Sequence, residues 1–183
     1  MSHLKRQGRQ AGGSGLSVRA CGPEDLATLV PIYAHYVTSS TATFEEEPPA
    51  LSDWQGRLAE VRALGLPFLV AELDGGVVGY AYANRWKARS AYRYTVEDSV
   101  YVGPGVQGRG IGTALLRALL EGCATAGIRE VIAVVGGDDP AASLALHRGC
   151  GFRPAGRLLR VGFKHGRWLD TRLLQCSLAT PGQ

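Results

Sequence analysis

The sequence contains no long apolar run. No stretch approaches the roughly 18 apolar residues that a membrane-spanning helix needs, and the Gly-, Ser- and Arg-rich N-terminus lacks the apolar segment of a signal peptide. We therefore expect a cytoplasmic protein that does not bind a membrane. We also expect residues 1–15 to be a disordered extension and residues 16–180 to form a single domain.

Cysteine and histidine are few and scattered. The four cysteines include no C-x-x-C pair, and the four histidines show no spacing typical of metal ligands. This pattern predicts buried free thiols in a reducing compartment and no bound metal.

A large charge of one sign is also missing. The net charge is +4, but Lys5, Arg6 and Arg9 supply +3 of it, which leaves +1 for the rest of the chain. A nearly neutral folded part does not favour nucleic acid or an anionic membrane as the main partner.

The chain does contain a regular succession of strand-like and helix-like segments, in the order β-α-α-β-β-β-α-β-α-β-β. Asp74-Gly75-Gly76 predicts a hairpin turn between two apolar runs. Val131–Val135 is a continuous apolar strand of the kind that is buried on both faces. The order predicts a mixed α/β sheet with a parallel crossover at Tyr94–Val135.

The most informative stretch is the glycine-rich loop Gln107–Gly112. It lies between a strand-like run, Tyr94–Val102, and a helix whose apolar residues recur every three to four positions. Glycine permits a positive φ and a close approach of the backbone, and the N–H groups that begin a helix bind anions. The loop is therefore predicted to hold a phosphate.

Three kinds of phosphate loop compete for this stretch. A Walker loop has Lys-Ser/Thr after its last glycine, but Thr113-Ala114 follows here. A dinucleotide-binding loop has G-x-G-x-x-G near the first strand, whereas these glycines follow the fourth. The remaining pattern, Q-x-x-G-x-G, resembles the pyrophosphate loop of the GNAT superfamily of acetyl-CoA-dependent N-acetyltransferases.

Within that superfamily the chain resembles the phosphinothricin/methionine sulfoximine N-acetyltransferase group. Three blocks in the matching order carry the resemblance: Trp86–Tyr92, Tyr94–Val102 and Gly162–Asp170. The resemblance implies a GNAT fold with a mixed sheet of about seven strands, flanked by helices and splayed between strands 4 and 5. It also implies acetyl-CoA as the cosubstrate.

By the same resemblance, the backbone of Val100, Tyr101 and Val102 binds the pantetheine arm of CoA. The residues assigned to the pyrophosphate are Gln107, Gly108, Arg109, Gly110, Ile111, Gly112 and Thr113. Asp139 and Ser143 are also assigned to CoA, although Pro140 stands where the similar sequences usually have an asparagine.

Acetyl transfer requires a neutral amine, so a carboxylate within reach must accept a proton. Glu97 matches the glutamate proposed as general base in this group, and His147 matches a histidine with an acid–base role. Strand alternation places Glu97 on one face and Asp98 on the other, and Asp98 is the weaker candidate for the base. No cysteine or serine has a recognisably spaced base partner, so we expect direct transfer in a ternary complex.

An aromatic residue and a basic loop line the amino-acid pocket of the resembling group. The matching residues here are Phe44, Lys87, Arg89, Ser90, Ala91 and Tyr92. Cations at this place suit an amino-acid carboxylate or a phosphinate. The expected acceptor is therefore a small amino-acid-like amine, and the match of the turn Lys164–Trp168 implies a homodimer.

Two other functions stay open on the sequence. A protein or peptide N-acetyltransferase would need an open groove, which the basic loop argues against. A non-catalytic acyl-CoA-binding module would keep the glycines without needing Glu97 or His147.

Overall fold

The computed structural model describes residues 15–178. Seven strands and four helices account for most of this range. The strands are β1 (Ser17–Ala20), β2 (Phe68–Leu73), β3 (Gly76–Arg85), β4 (Thr95–Val102), β5 (Glu130–Gly136), β6 (Arg153–Lys164) and β7 (Arg167–Ser177). The helices are α1 (Leu26–Ser39), α2 (Leu51–Ala63), α3 (Ile111–Thr125) and α4 (Ala141–Gly149). The extension expected at residues 1–15 lies, apart from Gly15, outside the described residues.

All seven strands belong to one sheet, in the order β1-β2-β3-β4-β5-β7-β6. Strands β4 and β5 are parallel, and every other neighbouring pair is antiparallel. The predicted mixed sheet and its parallel crossover through α3 are therefore confirmed. No helix within the described range is long and apolar enough to cross a membrane.

Each face of the sheet has its own apolar core. Leu115, Leu116 and Leu119 of α3 are fully buried against residues of the central strands such as Val96 and Val131. Trp54 of α2 belongs to the opposite core, with aromatic partners from α1 and β3. Val131, Ile132, Ala133 and Val135 of β5 are buried, as expected for a continuous apolar run, whereas Val134 is 37% exposed.

The start of α2 is stabilised by a side chain of its own first turn. The helix begins at Leu51, and the Asp53 carboxylate accepts a hydrogen bond from the Ala50 N–H at 2.7 Å. Asp53 therefore satisfies an N–H group at the helix start, because its carboxylate reaches back three residues.

Strands β4 and β5 separate after a short paired segment. Their parallel register extends only from Thr95↔Glu130 to Glu97↔Ile132. Beyond Glu97, β4 continues to pair with β3, while β5 continues to pair with β7. The two strands therefore splay apart, as expected, and the carboxyl end of the sheet opens at this point.

Candidate active site

The gap between β4 and β5 leads into a cleft of about 670 Å³. Its walls come from the second half of β4, the glycine-rich loop, the end of β5 and the first turns of α4. Ligands of open α/β sheets bind outside the carboxyl ends of strands, where neighbouring connections diverge. The cleft is therefore the candidate active site.

Backbone groups of β4 face this gap at alternate residues. The Gly103 N–H donates to the Val78 carbonyl at 2.7 Å, so the odd-numbered residues of β4 direct their backbone groups toward β3. The even-numbered residues direct their backbone groups toward the gap that opens where β5 diverges from β4. Val100 and Val102 can thus offer hydrogen-bonding groups to an extended ligand, although the Val102 carbonyl already accepts the Tyr36 hydroxyl at 2.6 Å.

Tyr101 lies between these two valines but is oriented differently. By the same alternation, its backbone groups face β3, where it pairs with Tyr80. Its ring lies on the α1 side of the sheet, with its centroid 4.9 Å from that of Tyr33. Tyr101 therefore lines the cleft without offering backbone hydrogen bonds to it, which corrects its expected role on the pantetheine arm.

The glycine-rich loop has the geometry of an anion site. Gly108 and Gly110 have φ angles of 77° and 80°, which residues other than glycine rarely adopt. A Cβ atom added at either position would meet nothing within 4 Å, so the surface beside the loop is open. Gly110 is also the N-cap residue of α3, whose first N–H groups face the cleft. This backbone fits a pyrophosphate.

The side chains of this loop are less available than its backbone. Ile111, Gly112 and Thr113 line the cleft together with the two glycines, but Arg109 is exposed and does not line it. The Gln107 side-chain carbonyl accepts the Gly105 N–H at 2.8 Å. Gln107 therefore shapes the loop through its oxygen, and only its amide NH₂ group is free for a phosphate.

Glu97 and Asp98 point to opposite faces of β4, as alternation predicts. The β3–β4 register is uninterrupted from Val96 to Val102, so no bulge intervenes. Glu97 lines the cleft and is partly buried. Burial and the nearby charge of Asp98 raise the pKa of Glu97, while Lys87 lowers it. A carboxylate with a raised pKa is a better proton acceptor than an exposed one.

His147 lies across the cleft on α4 and is held at both ring nitrogens. Nδ1 is 2.7 Å from the Ser143 carbonyl oxygen, and Nε2 is 3.0 Å from Asp98 Oδ2. Burial alone would lower the pKa of His147, but the hydrogen bond and charge of Asp98 and the Ser143 carbonyl outweigh burial and raise it. The sequence predicted His147 as a site residue but did not predict its pairing with Asp98.

Asp139 and Ser143 both line the cleft at the start of α4, where the resemblance places CoA contacts. Asp139 Oδ1 accepts the Ala141 N–H at 3.4 Å. The Ser143 hydroxyl lies 3.3 Å from His147 Nδ1.

Phe44 does not line the cleft itself but packs beside it, over two glycines. A Cβ atom at Gly136, which lines the cleft, would lie 2.8 Å from Phe44 Cε1, and one at Gly162 on β6 would clash with the same ring. The two glycines thus leave room for the aromatic ring. Phe44 is 39% exposed, so one side of the ring remains open.

The loop carrying Phe44 is fastened by the β6–β7 hairpin. The Lys164 ammonium donates to the Thr43 carbonyl at 2.8 Å in a buried position. Arg167 forms an ion pair at 2.9 Å with Asp138, whose N–H donates to the Thr41 hydroxyl at 3.0 Å. The local sequence around these residues gave no sign of this fastening, because the partners are distant in the chain.

The basic loop before β4 is not part of this cleft. Lys87, Arg89 and Ser90 line a separate hollow of about 300 Å³, floored by apolar residues such as Leu64 and Ile128. Ala91 and Tyr92 line neither cavity. Of the five loop residues expected to bind the acceptor, Lys87 is the one whose charge acts on Glu97.

Comparisons with known proteins agree with this geometry. The profile of the Acetyltransferase (GNAT) family matches residues 29–152. The chain is 47% identical over 171 residues to a phosphinothricin N-acetyltransferase of Alcaligenes faecalis, covering 93% of this chain and 87% of that protein. It is 38% identical over 163 residues to an L-methionine sulfoximine/L-methionine sulfone acetyltransferase of Pseudomonas aeruginosa PAO1. This match covers 88% of this chain and 94% of that protein.

A solved structure is similar in fold. It is a GNAT superfamily phosphinothricin acetyltransferase from Sinorhizobium meliloti in complex with AcCoA, with a TM-score of 0.86 and 42% identity. The match covers 90% of this chain and 89% of that one.

Proposed function

This chain belongs to the GNAT acetyltransferase family, and from that premise we propose that it acetylates the primary amine of a small amino acid related to phosphinothricin or methionine sulfoximine. Acetyl-CoA is the donor, as in that family. The observation that carries the proposal is the gap between β4 and β5. The glycine-rich loop follows the end of β4 at one side of this gap, and Glu97 lies nearer the start of β4. The relatives named for phosphinothricin and methionine sulfoximine support the class of acceptor.

The donor binds along the splayed strands in this proposal. The backbone N–H groups of Gly108–Thr113 bind the pyrophosphate, and Val100 and Val102 pair with the pantetheine arm as a further strand would. The thioester carbonyl then lies beside β4, where a backbone N–H such as that of Val102 stabilises the developing oxyanion. A preorganised donor of this kind contributes roughly 3 kcal/mol to transition-state stabilisation.

Glu97 accepts the proton that the acceptor amine must lose. The neutral amine forms a C–N bond with the thioester carbon. As the tetrahedral intermediate breaks its C–S bond, the nitrogen loses its second proton and the departing CoA thiolate takes up a proton, which gives the N-acetyl product and CoA thiol. His147, on α4, lines the same cleft, and we place it beside the departing thiolate. Phe44 is the proposed acceptor contact, because an aromatic ring packs on a carbon chain. Lys87, which lines a separate hollow, acts on the site through its charge on Glu97.

The cysteines favour direct transfer over an acetyl-enzyme intermediate. None of the four lines the cleft. Burial raises the pKa of both Cys21 and Cys123 to about 12, and it also raises the pKa of Cys150 and Cys176. Thiolates are the reactive form, so these thiols are poor nucleophiles. Free thiols also favour a reducing compartment, and we propose that the enzyme is cytoplasmic.

A homodimer is supported by an apolar edge of the sheet. Strand β6 forms that edge, and its hairpin with β7 carries five large exposed apolar side chains: Leu158, Leu159, Val161, Phe163 and Trp168. Exposed apolar patches mark interaction surfaces, and an unpaired edge strand can associate with another chain. A second copy of the chain is the proposed occupant.

The test of the function is CoA thiol release with a panel of amines. We expect turnover with phosphinothricin, methionine sulfoximine or methionine sulfone, and little with short peptides. Preferential turnover of peptides would favour a peptide N-acetyltransferase. Binding of acetyl-CoA without turnover of any amine would favour a non-catalytic acyl-CoA-binding module.

A further inference from the structure

Asp98 and His147 form a buried pair whose role the proposed reaction does not explain. Their side chains are 2% and 7% exposed, and they connect β4 to α4 across one wall of the cleft. The edge of the His147 ring faces Phe152, whose centroid is 5.0 Å away. The imidazole is therefore held by packing as well as by hydrogen bonds.

The partners of the imidazole determine how many protons it carries. The Ser143 carbonyl can only accept a hydrogen bond, so Nδ1 must carry a proton to donate at 2.7 Å. An ionised Asp98 can likewise only accept, so Nε2 must donate to it at 3.0 Å. Both contacts are satisfied together when the ring is doubly protonated.

The surroundings of the pair supply no competing cation. Among residues 15–178, His147 is the single basic side chain within ion-pair distance of the Asp98 carboxylate. The other titratable groups that interact with the charge of Asp98 are Glu97 on β4, Cys123 on α3, Cys150 after α4 and Cys176 on β7, and Arg117 of α3 lies beside Cys150. An ionised Asp98 at this depth therefore depends on the positive ring of His147 for its counter-charge.

A second observation argues against a purely structural role. Asp98 Oδ1 is buried, and no donor within residues 15–178 lies at hydrogen-bond distance from it. A buried acceptor without a donor reduces stability, so such groups persist mainly where function requires them. Asp98 also lines the cleft.

We infer that Asp98 is a positioning residue that keeps His147 doubly protonated and thereby prevents His147 from accepting the proton of the acceptor amine. Glu97 is then the group that accepts the proton of the amine, and His147 serves the reaction in its charged form. This inference rests on the proposed function, because it divides the roles of two residues in that reaction. The pKa of His147, which Asp98 raises, agrees with it.

The first experiment measures the protonation of His147 directly, without any activity. Imidazole nitrogen signals of the full chain are followed by ¹⁵N NMR between pH 5 and pH 9, and the His147 signal is assigned by its loss in His147→Gln. We expect His147 to titrate above the ordinary histidine pKa of about 6.5. In Asp98→Asn we expect the pKa of His147 to fall by more than one pH unit. Asp74→Asn, in the exposed β2–β3 turn, is the matched control and should leave the titration unchanged.

The second experiment measures the pH dependence of kcat/KM for the same proteins. In the wild type, activity should fall as pH rises through the raised pKa of His147. In Asp98→Asn that fall should move to lower pH by the shift that NMR measures, with at least a tenfold loss of kcat/KM at neutral pH. The KM for acetyl-CoA should change less than threefold.

Two results would overturn the inference. One is an unchanged His147 titration in Asp98→Asn; the other is a shifted titration with an unchanged pH profile. If the wild type acetylated no amine, the proposed function would fail, while the NMR titration would still decide whether Asp98 holds the proton on His147. Asp98→Ser serves the same comparison if Asp98→Asn does not fold.

Discussion

Glu97, the proposed general base, lies in a position that disfavours its ionised form. Burial and the charge of Asp98 raise its pKa, so its ionised form is disfavoured in the folded protein. For a group with a raised pKa, the stabilising contribution is present below the unfolded pKa and is lost as pH rises through the folded one. At neutral pH the carboxylate therefore destabilises the fold that positions it.

The substitution Glu97→Gln should separate these two effects. We expect kcat/KM to fall by about 100-fold or more because the base is removed, while the Tm at pH 7 rises because no buried charge remains. The rise in Tm should disappear near pH 4, where Glu97 is protonated. Glu121→Gln, on the outside of α3, is the control; a loss of kcat/KM below about tenfold would show that Glu97 is not the base.

Gly110 is required for its backbone conformation and for the open space beside it. Its φ of 80° disfavours any side chain, and a methyl group there would project beside the anion site. We expect Gly110→Ala to cost about 1 kcal/mol in stability and to raise the KM for acetyl-CoA at least tenfold. Thermal unfolding and initial-rate kinetics measure the two effects.

Gly105 provides the control for this prediction. It has a similar φ of 82°, and a Cβ atom there also meets nothing within 4 Å, but it does not line the cleft. Gly105→Ala should therefore share the loss of stability without the change in KM. Equal KM values in the two variants would contradict the assignment of the pyrophosphate to Gly110.

At the scale of elements, the β6–β7 hairpin determines where the Phe44 loop lies. Lys164 and Arg167 fasten that loop and the β5–α4 loop, and Gly162 leaves room for the Phe44 ring. These contacts join segments that are more than 100 residues apart in sequence at their widest. The position of Phe44, the proposed acceptor contact, thus depends on an element that carries no proposed catalytic residue.

The substitution Gly162→Ala tests this dependence. Its added methyl group would clash with Phe44 and displace the ring, so we expect the KM for the amine to rise at least tenfold while the KM for acetyl-CoA stays within threefold. Gly156→Ala, in the same strand, is the control because a Cβ there meets nothing within 4 Å. Equal effects of the two substitutions would contradict a role of Phe44 in acceptor binding.

At the scale of the whole molecule, the exposed edge of the sheet predicts association. Leu159 is 65% exposed on β6, and Phe163 and Trp168 beside it are each 55% exposed. We expect a dimer in solution, measured by size-exclusion chromatography with light scattering, and a monomer in Leu159→Glu because a charge would be buried at the interface.

Leu51→Glu is the control for the dimer, since Leu51 is an exposed apolar residue at the start of α2, away from this edge. It should leave the mass unchanged. A wild-type protein that remains monomeric at high micromolar concentration would contradict the proposed dimer.

The sequence by itself determined the order of elements, the position of the glycine-rich loop before α3 and the two faces of β4. These features depend on local rules: apolar residues repeat with the period of a helix or strand, glycine alone tolerates positive φ, and side chains alternate along a strand. The Q-x-x-G-x-G spacing and the blocks around it then indicated the family, which the comparisons confirmed.

Only the tertiary structure decided which of the predicted residues meet. It paired Asp98 with His147 across 49 positions, placed Phe44 over Gly136 and Gly162, and directed Lys87, Arg89 and Ser90 to a separate hollow. The physical reason is that such contacts depend on how far β4 and β5 splay and on how the β6–β7 hairpin folds back. Neither quantity is encoded in a local pattern, because both result from packing between segments that are distant in the chain.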